Sequence, residues 1–319
     1  MNTFCTLFDS FYLTRGLALY RSLVKTGADF RLIVYCFDDA CFKILSDLKL
    51  PKLDLVTLSE FETPALLRIK DSRTRGEYCW TCTPHVIADA LTRFHLSEVT
   101  YLDADLFFFS RPELLLEEFK SSGGSVLITE HRYTPEYDQS TLSGTYCVQF
   151  ITFCSDSNGL TALNWWKDRC TEWCFSRFEN GKFGDQKYLD DWTTRFKGVH
   201  VLKHLGGGVA PWNIQQYEIT GAQSGPLVNG APVVFYHFHA LKWLKNAQIN
   251  LTGGSYKLPD LAVEFIYRPY VRELKASLEQ AQTVSPGFES GKIAREPGLR
   301  MFLHDLKCTF KGTYHVVQE

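Results

Sequence analysis

Apolar and polar positions along the first sixty residues change period in a regular order, which predicts strand, helix and strand in turn. Phe4 to Leu7 reads as a buried strand, Leu13 to Lys25 as an amphipathic helix, and Arg31 to Phe37 as a second strand. Asp38-Asp39 then opens a helix to about Leu48, and Leu53 to Leu58 predicts a third strand entering a charged loop, Arg68 to Glu77. This alternation predicts an α/β protein with a Rossmann-like, mostly parallel sheet flanked by helices. Ligands of such sheets collect at the carboxyl ends of the strands.

The second half is less regular. Ser125 to Thr129 and Gln149 to Phe153 read as strands, and Thr161 to Arg177 as a helix whose Trp165, Trp166, Trp173 and Phe175 supply core. Residues 1–245 carry the α/β pattern, and residues 246–319 form a mainly helical C-terminal extension packed on that domain. In the extension, Pro259 to Gln282 predicts a helix, Ser285 to Gly291 a linker, and Leu299 to Lys307 a further helical element. Its charge excess is small, which favours packing on the domain over peripheral contact with a membrane surface.

Composition narrows the classes of function. The 319 residues are 45% hydrophobic, enough for a full core, and the formal net charge of -2 with no basic tract argues against nucleic acid as a partner. A basic region followed by a long apolar stretch is missing at Met1 to Phe8, and no run of about 18 apolar residues occurs. The expected location is cytoplasmic, with the inner membrane face as the place of any peripheral contact. Ten cysteines fit a reducing compartment. Cys79 and Cys82 with Cys170 and Cys174 would suit a structural zinc on paper, but helical spacing makes the latter pair core thiols first.

The strongest chemical signal is Val99 to Phe109, a strand-like run interrupted by Asp103 and Asp105. A period of two puts both carboxylates on one side of a strand. Burying two like charges unpaired is costly, so the economical explanation is a bound Mg²⁺ or Mn²⁺, the other being a solvated strand end. Three later motifs exceed what packing requires: Phe183-Gly184-Asp185-Gln186, the glycines at 206 to 208, and Val233 to Trp243. In the last, alternation puts His237 and His239 on one side, followed by Lys242, a set able to serve a cation and phosphate oxygens. The glycines permit close backbone approach to a ligand, or mark a flexible turn. Asp185 reads either as a group facing substrate or as a helix N-cap. At the end of the first strand, Thr6, Asp9 and Tyr12 are candidates to hold a nucleotide, with Tyr12 stacking on its base. Arg73 or Arg75 is placed to reach a phosphate or sugar, unless both are solvated charges.

Tyr101-Leu102-Asp103-Ala104-Asp105, Asp185-Gln186 and His237-Phe238-x-Ala240-Leu241-Lys242-Trp243 follow in order the pattern of glycosyltransferases with the GT-A fold, and the chain resembles glycosyltransferase family 8. The resemblance covers about residues 1 to 245. It implies that Asp103, Asp105 and His237 bind Mn²⁺ or Mg²⁺, and that Ala104, His239 and Lys242 meet a nucleotide diphosphate sugar. It also implies that Asp185 and Gln186 face the transferred sugar. Ala240 stands where the family usually has glycine, Lys242 comes one residue early, and the family's F-N-x-G-V segment is not matched around Gly144 to Phe150. The implied activity is transfer of a sugar, from UDP by family resemblance, to a glycan or lipid-linked acceptor with retention. Inversion follows instead if Asp185 deprotonates the acceptor from the opposite face. A sugar nucleotidyltransferase and a non-catalytic nucleotide-sugar-binding module are the alternatives.

Overall fold

The computed structural model describes residues 1–223, 225–245, 248–289, 291–293 and 299–318. Its frame is a seven-stranded sheet ordered β3-β2-β1-β4-β7-β6-β8. The strands are β1 (Asn2–Phe8), β2 (Phe30–Cys36), β3 (Leu53–Thr57), β4 (Glu98–Leu102), β6 (Val126–Glu130), β7 (Tyr146–Cys154) and β8 (Val199–Val201). A short strand, β5 (Leu106–Phe108), lies outside this sheet. β3, β2, β1 and β4 run parallel, β7 runs antiparallel to both β4 and β6, and β8 is parallel to β6.

Alternation along β1 divides the core between the two faces of the sheet. Phe4 and Phe8 pack with Leu17, Leu32 and Val34 beneath helices Leu13–Lys25 and Asp39–Leu48. Cys5 and Leu7 point the other way, into a core with Ile33, Val86, Ile151 and Trp166 under helices Arg75–Arg93 and Ser157–Glu172. Cys82, Cys170 and Cys174 belong to that second core.

The expected charged loop from Arg68 to Glu77 is mostly helix. Pro64–Lys70 is helical, and Arg75–Arg93 begins at a reciprocal cap in which Thr74 accepts from the Glu77 N–H and Glu77 accepts from the Thr74 N–H. The helix expected over Thr161 to Arg177 is shifted to Ser157–Glu172, because Asp156 caps its start through the Gly159 N–H.

β5 pairs antiparallel with Phe235–His237. Phe107, Tyr236, Phe238, Trp243, Tyr267 and Tyr270 fill a third core behind this ribbon, so part of the C-terminal segment supports it. There the backbone makes a π-helical turn at Val263–Tyr267 before helix Arg268–Val284, which packs on helix Leu13–Lys25. The buried Glu273 binds both Arg21 and Lys25 across that contact. Leu299–Phe310 is helical, but the side chains of residues 299–304, which carry the amphipathic pattern, lie outside the described residues. Among the described residues no helix is long and apolar enough to cross a membrane.

The glycines at 206 to 208 serve packing. A Cβ on Gly206 would lie 1.8 Å from the Pro232 carbonyl oxygen, and Gly208 has φ +84° against Thr129 and Gln149. The Gly206 carbonyl accepts from the N–H groups of Val234 and Phe235, at 2.8 and 3.2 Å.

Candidate functional site

Neighbouring strands β1 and β4 end at a cleft of about 640 Å³. The Val99–Phe109 run is two strands rather than the expected one. β4 stops at Leu102, the Leu106 N–H donates to the Asp103 carbonyl, and β5 leaves to pair elsewhere. The two carboxylates therefore meet the cleft from a turn, not from one face of a pleat. This leaves them partly hydrated while the aromatic residues of β5 stay buried.

Pairing of Leu106 with His237 brings the imidazole to this turn. His237 Nε2 lies 3.1 Å from Asp105 Oδ1 and 3.9 Å from Asp103 Oδ2. Its Nδ1 donates to Gln149 Oε1 at 2.7 Å, and its backbone N–H donates to the Val209 carbonyl. Burial works against a charge on His237, but Asp105 beside it raises its pKa well above the ordinary value. Burial also opposes the Asp105 charge, yet His237 holds that carboxyl down to about 2. Burial pushes Asp103 up to about 6, against the pull of His237.

The donor set fits a divalent cation. Ligand atoms of Asp103, Asp105 and His237 lie within 4.8 Å of one another, the one such group of three among the described residues. Two carboxylates with one imidazole suit Mn²⁺ or Mg²⁺, and the remaining positions of either ion are open to water or phosphate oxygens.

Asp185 lines the same cleft and is 6% exposed. Burial first, and the Asp103 charge second, push its carboxyl up to about 8. It makes no side-chain cap for the short 3₁₀ turn Gln186–Leu189, so the N-cap reading fails on geometry. Gln186 lines the cleft next to it.

Asp9, Tyr12, Ala104 and His239 also line the cleft. His239 does so from a turn, because the strand expected to carry both histidines ends at His237. Thr6, Arg73 and Lys242 are not brought there. Thr6 is fully enclosed within β1, on the face it shares with Phe4 and Phe8. Arg73 lies 3.8 Å over the Phe175 ring and donates to the Thr171 carbonyl. Lys242 is exposed on an edge strand paired with Gln248–Asn250, because the backbone turns through Ala240 at φ +63° and redirects the chain.

Of the two arginines the sequence offers, Arg75 and not Arg73 reaches the site: it lines the cleft and pairs with Asp9 and Asp38, whereas Arg15, Trp212 and Gln149 are functional candidates that the sequence does not single out. The Thr74-x-x-Glu77 capping pattern was the available signal, since it puts Arg75 at a helix start. Arg15 is buried in the first helix, donates to the Leu241 carbonyl at 3.1 Å and lies 4.5 Å over the Tyr12 ring, linking Tyr12 to the turn that follows His237. Trp212 packs its ring at a steep angle to both His237 and His239. Gln149 is a fully buried amide set between the apolar Val148 and Phe150 of β7.

The fold is that of a galactosyltransferase, LgtC, solved in complex with donor and acceptor sugar analogs. The two superpose with a TM-score of 0.52 at 11% identity, covering 86% of this chain and 95% of that one. This makes the chain a GT-A-fold protein, and no family model matches it. It belongs to the family of the uncharacterized Bacillus subtilis (strain 168) proteins YfnD and YfnF. It is 30% identical to YfnD over 300 residues, 92% of this chain and 94% of YfnD. It is 30% identical to YfnF over 295 residues, 90% of this chain and 96% of YfnF.

Proposed function

We propose that this protein is a divalent-cation-dependent glycosyltransferase akin to glycosyltransferase family 8. It moves a hexosyl group from a UDP-sugar to a hydroxyl of a glycan or glycolipid, with retention of anomeric configuration. The observation that carries the reading is that the Asp103, Asp105 and His237 group shares one cleft with Asp185, at the carboxyl ends of adjacent parallel strands. The similarity in fold to a galactosyltransferase solved with donor and acceptor sugar analogs supports it.

Residues 1–245 are read as the catalytic domain, and residues 246–319 as its brace. Asp103, Asp105 and His237 would hold Mn²⁺ or Mg²⁺, which when bound supplies Lewis-acid stabilisation to a departing diphosphate. Asp9 and Tyr12 hold the nucleoside side of the cleft. Arg75, not Arg73 or Lys242, is the cation placed at that mouth. Asp185 and Gln186 meet the transferred sugar. The bond from the anomeric carbon to the diphosphate oxygen breaks, and the acceptor oxygen bonds to the same face. The acceptor's proton passes to the departing oxygen.

A thermal-shift screen of UDP, GDP, CDP and TDP with and without Mn²⁺ tests this, using wild type and the Asp103→Ala, Asp105→Ala double variant. At a hundredfold excess over Kd, a nucleotide bound by the native state adds about 2.7 kcal/mol, a rise of about 4 °C for a chain of this size. A shift for one nucleotide that needs Mn²⁺ and disappears in the variant is expected. No shift with any nucleotide overturns the reading.

A further inference from the structure

We infer that Gln149 is a positioning residue that fixes the imidazole of His237 with Nε2 toward the two aspartates. This rests on the metal-dependent reading above, because an aimed nitrogen lone pair matters only to a ligand that shares it.

Gln149 is fully buried on β7, flanked by Val148, Phe150 and Ile151. It acts on both halves of the acidic cluster. Its backbone carbonyl accepts from the Asp103 N–H at 2.9 Å, and its side-chain Oε1 accepts from His237 Nδ1 at 2.7 Å. The first bond anchors the turn that presents Asp103 and Asp105. The second keeps a proton on Nδ1, which leaves Nε2 as the nitrogen facing the carboxylates.

Apart from the aspartates that Nε2 faces, the other contacts of His237 do not set that choice. The Val209 carbonyl holds only its backbone N–H, and the Trp212 ring stands nearly perpendicular to the imidazole with centroids 5.3 Å apart. The Cys147 thiol also lies against the imidazole, but sulfur is a weak acceptor. The amide nitrogen of Gln149 is buried without a hydrogen-bond partner. A leucine or methionine would fill similar space without that unmet donor, so packing gives no reason for glutamine here. The bond to His237 does. An acceptor on the far nitrogen of a metal-binding imidazole fixes its tautomer and ring orientation and increases its basicity.

The test is Mn²⁺ titration followed by the paramagnetic resonance signal of the free ion, with melting of the metal-free protein recorded alongside. The variants are Gln149→Leu, Gln149→Glu and Asp103→Ala. Gln149→Leu is expected to weaken Mn²⁺ binding about 10- to 100-fold while the metal-free melting temperature holds or rises. Gln149→Glu, which keeps an acceptor opposite Nδ1, is expected to retain binding. If Gln149→Leu also melts early, Gln149→Glu decides: retained affinity sustains the inference, and lost affinity overturns it. Wild-type affinity in Gln149→Leu, with binding abolished by Asp103→Ala, overturns the role of Gln149 and leaves the metal-dependent reading standing. A wild type that takes up no Mn²⁺ overturns both.

Discussion

The indole Nε1 of Trp166 donates to the backbone carbonyl of Asp185 at 2.9 Å, tying the cleft wall to the buried core beneath helices Arg75–Arg93 and Ser157–Glu172. Trp166 is itself fully buried, so Asp185 is anchored by its main chain while its carboxyl faces the cleft.

That anchoring makes the Asp185 charge costly. Burial and the nearby Asp103 put its pKa at about 8, whereas the unfolded chain releases the same proton near pH 3.9. Between those values the native state binds the extra proton, so stability falls as pH rises. In EDTA, Asp185→Asn is expected to melt with wild type at pH 4 and several degrees above it at pH 8 to 9. Sugar transfer is expected to drop about 100-fold or more, as when a group facing developing charge is removed. Equal melting at every pH would show that the carboxyl is well solvated, and unchanged transfer would remove Asp185 from the reaction.

Ala240 turns the chain after the two histidines at φ +63°, a left-handed conformation that hinders any residue with a Cβ. Ala240→Gly is expected to raise unfolding free energy in urea by about 0.5 to 1 kcal/mol, the relief of that strain less glycine's greater unfolded-state entropy. Ala240→Val is expected to destabilise. A loss of stability in Ala240→Gly would mean that the alanine methyl packs favourably enough to outweigh the backbone cost.

Glu118 clasps the segment that leads from β8 to the glycines. Its carboxylate accepts from His200 Nε2 at 2.7 Å and from the N–H groups of Lys203 and His204, at 2.8 and 2.9 Å. Burial opposes its ionisation, but these donors prevail and depress its pKa. The stabilisation is present above the unfolded-state value of about 4.3 and is lost as pH falls through the lower native value. Glu118→Gln is expected to cost about 1 to 2 kcal/mol at pH 7 and to flatten the acid-side loss of stability. Parallel pH profiles for the two proteins would exclude this role.

Much of the frame was legible because local pattern and tertiary environment agree. The pattern predicts the helix Leu13 to Lys25 with the observed bounds, and the first three strands lie within a residue or two of their expected ends. Pattern failed where a strand ends. The apolar residues of β5 carry the same signal as those of β4, yet the two strands pair with different partners, and the aspartates that mark the break after Leu102 fit a pair on one face of a single strand as well as a turn. Val233 to His239 misled for the same reason, since pairing stops at His237. Thr6 and Asp9 looked equally near a strand end, but Thr6 lies two residues inside β1 and is enclosed, whereas Asp9 is just beyond it.

The sequence by itself determined which segments alternate, hence the layered α/β frame, and it marked Asp103, Asp105, Asp185 and His237 as groups a core would not keep without a reason. Only the tertiary structure decided that the carboxylates converge from a turn, that His237 arrives through pairing with Leu106, and that Gln149 and Arg15 stand behind the cleft while Arg73 and Lys242 point away. The reason is physical: periodicity records which face of an element is buried, a local property of the chain. Which side chains meet depends on strand register and on where each ladder stops, and those are set by contacts between residues far apart in sequence.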